Sequence, residues 1–239
     1  MPPRPLPVRR VRLTTGLLLI ATLQSASAQM TGEASERRPL PAFDRLRVEG
    51  ALKATFTPGP TQAVQVVGAA QRLALVQSHV ENGTLVLRVA PGLHWRQLPQ
   101  VIVTAPTLRA AEVQGSGDLR LHALRQAELQ LAVSGSGDLV ATELDTGQLR
   151  VAVAGSGDVR LQGQCSDAQI TVAGSGDVHA DSLRCRQVDV SVAGSGDARV
   201  QASSRLTASV AGTGDVHYRG QPERLVVRSA GLGQVHALP

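Results

Sequence analysis

An all-β fold, a parallel β-solenoid with coils of about 20 residues, is the class that the sequence predicts, and three observations point to it. A short motif recurs at a nearly fixed interval: Gly-Ser-Gly-Asp at 115–118, 135–138, 155–158, 174–177 and 194–197, Gly-Thr-Gly-Asp at 212–215, and a decayed Gly-Leu-Gly-Gln at 231–234. Between the motifs, apolar and polar residues alternate with period two. The cysteines, Cys165 and Cys185, stand 20 residues apart, each nine residues before the next motif, so they hold equivalent places in adjacent repeats.

The chain opens with a leader rather than with the fold. Arg4, Arg9, Arg10 and Arg12 precede an apolar run, Leu13–Leu23, and Ala26-Ser27-Ala28 supplies an A-x-A cleavage site. Residues 1–28 are therefore read as a secretory signal peptide; the run is short for a membrane span. No Cys stands just after it, so lipid anchoring there is not expected. Removing the leader takes away four of 24 basic residues and none of 19 acidic ones, leaving 20 − 19 = +1. A near-neutral mature chain does not advertise nucleic-acid binding. It has no second long apolar run, so no stable membrane span is expected after cleavage. A periplasmic, secreted or cell-surface location follows.

Residues 29–42 carry Gly, Ser, Glu, Arg and two Pro and are expected to form a flexible tail. From Phe43 to about Thr107 the pattern is an irregular set of opening coils. Leu46 and Val48, then Leu52, Ala54 and Phe56, then Val64 and Val66 alternate as in strands; Pro58-Gly59-Pro60 is a turn. Ala69–Leu75 reads as a short helix. Glu81-Asn82-Gly83 separates two strand-like runs and signals a hairpin. Trp95, with His94 and Arg96, is placed in a loop packing over an end of the core. Aromatic residues number only Phe43, Phe56, Trp95 and Tyr218, so Val, Leu and Ala must fill a narrow interior.

From Leu108 to Pro239 the chain is repeat. The motif Asp residues are Asp118, Asp138, Asp158, Asp177, Asp197 and Asp215, with Gln234 in the seventh place; the spacings are 20, 20, 19, 20, 18 and 19. A fixed period of this length marks stacked units, none of which buries its apolar face alone. In Leu149–Leu161, Leu149, Val151, Val153, Val159 and Leu161 share a parity with both glycines, where the missing Cβ permits a sharp bend and positive φ. An antiparallel meander or barrel, with Gly-Ser-Gly as a three-residue hairpin loop, also satisfies this alternation. The cysteines favour the solenoid. Equivalent positions of stacked coils lie roughly 4.8 Å apart, within disulfide reach, whereas a meander would separate them by roughly 9.6 Å. A Cys165–Cys185 bridge in an exported chain would contribute about 3 kcal/mol.

Stacking puts the six Asp side chains in a row. Carboxylates roughly 4.8 Å apart repel by about 3–4 kcal/mol at an effective dielectric of 20, so the row must face solvent or be compensated. Arg120, Arg160, His179, Arg199 and His217 stand two residues after an Asp and form a candidate basic column; Val140 interrupts it. Backbone N–H groups at the glycine corner are a second source of compensation. The motif is thus read as architecture: Gly for the bend, Ser for local hydrogen bonding, Asp to fix the corner. No metal or other cofactor is expected, because one acid per coil beside a base suits a hard cation poorly. No catalytic residue is assigned. Asp118 with His122, or Asp177 with His179 and Asp181, are acid–base groupings without a special place among similar repeats.

The order of elements resembles one bacterial family. The strand "FDRLRVEGALKATFTPG" at 43–59, the hairpin "ENGTLVLRV" at 81–89, the strand "VIVTAPTL" at 101–108 and the repeated Gly-Ser-Gly-Asp strands are similar to the putative auto-transporter adhesin, head GIN domain family, over about Phe43 to Val235. The resemblance implies an exported, right-handed β-solenoid without established catalytic residues. No run of strands for a translocator barrel precedes Pro239, so self-transport is not expected. The first functional expectation is a non-enzymatic envelope module that offers a repetitive polar face to a protein or glycan. A polysaccharide-acting β-helix enzyme and a structural unit assembling through its end coils are the alternatives.

Overall fold

Alternation becomes strand nearly throughout the computed structural model, which describes residues 33–89 and 98–239, all within one unit spanning Gly32–Pro239. The expected leader and the expected loop at His94-Trp95-Arg96 lie outside the described residues. In chain order the strands are β1 (Glu33–Arg37), β2 (Arg45–Glu49), β3 (Lys53–Pro58), β4 (Ala63–Ala69), β5 (Val76–Glu81), β6 (Thr84–Val89), β7 (Gln100–Ala105), β8 (Ala110–Gly115) and β9 (Asp118–His122). Then follow β10 (Arg125–Gly135), β11 (Asp138–Gly155), β12 (Val159–Gly174), β13 (Val178–Gly194), β14 (Ala198–Gly212), β15 (Val216–Arg219), β16 (Arg224–Gly231) and β17 (Val235–Ala237).

From β8 onward each coil pairs in parallel with the next. Val133, Val153, Val172, Val192 and Val210 are successive register partners, and so are Cys165 and Cys185. Parallel pairing between equivalent positions decides for the β-solenoid of about six turns and against the meander. The interior is a set of aliphatic stacks. Leu119, Leu139, Val159, Val178, Ala198 and Val216 form one, all buried, because a period-two pattern turns the same parity inward on every coil. Phe56, fully buried in an opening strand, and Phe43, buried just before β2, are the aromatic exceptions among the described residues.

The opening region is irregular for a topological reason. β2 lies between β6 and β8, and β3 between β7 and β9, all in parallel, so the first coil in sequence is not the first in the stack. Antiparallel strands then close that end: β5 on β6, β4 on β7 and β1 on β4. Asn82 and Gly83 both take positive φ, 49° and 76°, which gives the expected β5–β6 hairpin a tight two-residue turn. The expected short helix is a 3-10 helix, Ala70–Leu75, with Leu73 buried.

One expectation is corrected. Residues 33–37 belong to the stretch read as a flexible tail, yet they form β1 and cover the open edge of β4. That edge would otherwise present unpaired backbone groups. β1 is itself short, and Arg38 beyond it pairs with Glu36 at 3.0 Å and donates to the Leu73 carbonyl at 3.1 Å, tying the segment to the 3-10 helix.

Candidate functional site

The motif builds a corner whose backbone groups find partners one coil away. Gly155 has φ +129°, and a Cβ on Gly155 or Gly157 would overlap the carbonyl of Gly135 or Gly137 below. That close approach lets the Gly135 carbonyl accept both the Ser156 N–H, at 2.8 Å, and the Gly157 N–H, at 3.1 Å. The same pair of bonds recurs from Ser175 and Gly176 to Gly155 and from Ser195 and Gly196 to Gly174.

The aspartates complete the corner. Asp158 N–H donates to the Asp138 carboxylate at 3.1 Å, Asp177 to Asp158 at 3.2 Å, Asp197 to Asp177 at 2.8 Å, Asp215 to Asp197 at 2.8 Å and Gln234 to Asp215 at 2.8 Å. Each carboxylate therefore caps the N–H of the next coil's equivalent residue. Asp118 stands at the start of the series: its carboxylate faces Lys53 Nζ at 3.6 Å, and Asp138 N–H goes instead to the Gly117 carbonyl at 3.1 Å. The expected role for Ser narrows. Among the described residues, one corner hydroxyl–hydroxyl bond forms, Thr213 to Ser195 at 3.1 Å, and the Ser side of the corner is exposed.

The basic column is a true register row, Arg120, Val140, Arg160, His179, Arg199, His217 and His236. Its pairing differs from the expectation. Of its members, Arg160 alone bridges to an Asp of the row among the described residues, at 3.1 Å to Asp158. Arg199 donates to His179 Nδ1 at 3.3 Å, and the His217 and His236 rings stack with centroids 5.5 Å apart. The carboxylates from Asp138 onward accept backbone N–H groups, and two neighbouring pairs of the basic row, His179 with Arg199 and His217 with His236, contact each other. The candidate acid–base groupings do not converge either. His122 Nδ1 lies 2.8 Å from Thr142 Oγ1, and Asp181 pairs with Arg219 at 3.7 Å.

The Cys165–Cys185 disulfide is formed across directly paired positions with Cα atoms 4.6 Å apart. Both cysteines line a groove of about 980 Å³ that runs across successive coils, away from the Gly-Ser-Gly-Asp corner. The groove has a cause in coil length. Where β13 passes from Ala180 to Arg184, β14 passes directly from Val200 to Gln201; β14 regains one residue after Ala202. The shortened coil, the one of spacing 18, is recessed between its neighbours. Asp181 thereby reaches over it to Arg219 of β15. A row of Asp145, Gln164, Arg184 and Gln201 crosses four successive coils along the groove. These residues were missed as a site; the spacing of 18 was the available signal.

A family profile described as "Putative auto-transporter adhesin, head GIN domain" matches residues 42–222, well over half the sequence. The chain belongs to this family. Among solved structures, the head GIN chain is similar to a putative adhesin from Bacteroides fragilis, with 25% identity and a TM-score of 0.81, covering 87% of this chain and 97% of that one. A putative lipid binding protein from Parabacteroides distasonis shares the fold at 19% identity and a TM-score of 0.70, covering 87% and 97%. A putative adhesin from Parabacteroides merdae does so at 19% and 0.67, covering 87% and 96%. No curated protein matches the chain.

Proposed function

We propose that this head GIN chain is an exported, non-enzymatic adhesin-like module of the cell envelope, which presents rows of polar side chains to a protein or glycan partner. The observation that carries the reading is the register. Outward positions repeat coil upon coil, as in Thr171, Ser191 and Ser209, so a partner with its own repeat meets the same chemistry at each step. The name of the B. fragilis relative agrees with an adhesive role. The motif carboxylates are engaged by backbone N–H groups rather than gathered into a cleft, which favours binding over hydrolysis. The test is a pull-down with the full oxidised chain, shown folded by circular dichroism, against cell-wall fractions and arrayed surface glycans. Saturable retention of one fraction is expected; a folded chain that retains none contradicts the reading.

A second reading, assembly through end coils, rests on the last coil. Leu225 and Val227 continue two core stacks but are 44% and 47% exposed, since no coil covers them within the described residues. Concentration-dependent sedimentation, suppressed by Val227→Glu, is its expected signature; a monomer at every concentration contradicts it.

A further inference from the structure

We propose that the groove over the shortened coil is a binding site for an acidic glycan, with the Arg184 guanidinium as the anchor for a sugar carboxylate. The inference rests on the reading of the chain as a binding module and assigns that module a seat and a ligand class. Three observations converge. First, the groove is built rather than incidental. Residues 181–183 of β13 have no counterpart in β14, and the Cys165–Cys185 bridge holds two of the coils that line the groove in fixed register. Such a lining costs little ordering entropy on binding.

Second, among the described residues the Arg184 guanidinium has no carboxylate partner, and Asp145, the carboxylate in its own row, stands two coils away. Arg186 faces Asp167 at 4.0 Å, and Arg219 faces Asp181 at 3.7 Å. The row neighbours of Arg184 on both sides are amides, Gln164 and Gln201. An unpaired guanidinium, flanked by neutral donors, suits a carboxylate held in fork geometry. Third, the row runs along the stacking axis. Its members repeat every coil, roughly 4.8 Å, so an extended chain of sugars laid in the groove meets one polar side chain per step. Gln164 and Gln201 each offer an amide donor and an acceptor to ring hydroxyls, and Asp145 offers an acceptor at the end of the row. Among the described residues no aromatic side chain lines the groove, so recognition is proposed to rest on charge and hydrogen bonds rather than on ring stacking.

The test uses the full oxidised chain in calorimetric titration with oligogalacturonate and with a glucuronate-containing oligosaccharide, each compared with its methyl ester, which keeps the backbone and removes the charge. The proposal expects at least one acid form to bind, its ester to bind about 10- to 100-fold more weakly, and Arg184→Gln to cause a loss of the same size. Arg184→Lys should recover part of it. Arg37→Gln, on β1 at the far end of the stack, should bind as the parent does. Raising the salt concentration should weaken the parent complex. Binding of neither acid overturns the proposal, as does equal binding of acid and ester, or equal loss in the Arg37 and Arg184 variants. Retention of an envelope fraction that survives Arg184→Gln would leave the module reading standing and remove the groove as its seat.

Discussion

Asp177 shows how the motif works at the scale of one residue. Its carboxylate accepts the Asp197 N–H at 2.8 Å, while its own N–H donates to Asp158 at 3.2 Å. What the fold requires here is an acceptor oxygen, and a charge is secondary. Asp177→Asn keeps the acceptor and removes two like-charge contacts, so its stability in urea should stay within about 0.5 kcal/mol of the parent. Asp177→Ala strands the Asp197 N–H and should lose about 1–2 kcal/mol. Equal losses would mean that the charge, not the acceptor, matters. Gly157→Ala is the harsher change, since its Cβ would meet the Gly137 carbonyl on a backbone with no room to shift. It should lose more than about 3 kcal/mol or fail to fold, measured by the same denaturation. The glycines were legible at this scale because their parity and spacing demand a bend. The partners of Arg199 and His217 were not, because strand parity places side chains on a face without saying which neighbour each will reach.

Elements behave according to how many neighbours pair with them. β12 and β13 are bordered by parallel strands on both sides along most of their length, whereas among the described residues β16 and β17 have a partner on one side only. Hydrogen exchange should therefore be slowest in β12 and β13 and fastest in β16 and β17; uniform protection would contradict this ordering. Reducing the Cys165–Cys185 bridge releases a cross-link between β12 and β13 and should lower stability by about 3 kcal/mol, read as the shift between denaturation curves with and without reductant. Sequence revealed β8–β17 well, since each coil repeats the alternation of the one before. It did not reveal that β2 and β3 insert between β6–β7 and β8–β9, because parallel pairing leaves no mark on local pattern. Nor did it show β1: Glu33–Arg37 is polar and short, and only the free edge of β4 gives it a place. The groove was half visible, as a coil of 18 residues whose missing positions could not be located without the register.

At the scale of the whole molecule, the account is one of equivalent coils carrying different outer faces. The head GIN chain gains its long polar rows, and the groove with Arg184, from positions that the core does not constrain. Stability is then close to a sum of coil and interface contributions, with the antiparallel strands β1, β4 and β5 closing one end. Stacked equivalence makes a demand that no ordinary globular sheet would meet: a whole coil must be dispensable when it is removed in phase. The most direct measurement is the unfolding of a chain lacking residues 139–158, which joins Asp138 to Val159 and brings β9 against β12 in the register that β11 now occupies. We predict a folded all-β protein with a cooperative transition and an intact Cys165–Cys185 bridge, while a chain lacking residues 139–148, which is out of phase, does not fold. An unfolded product from the in-phase deletion, or equal tolerance of both deletions, would contradict the account.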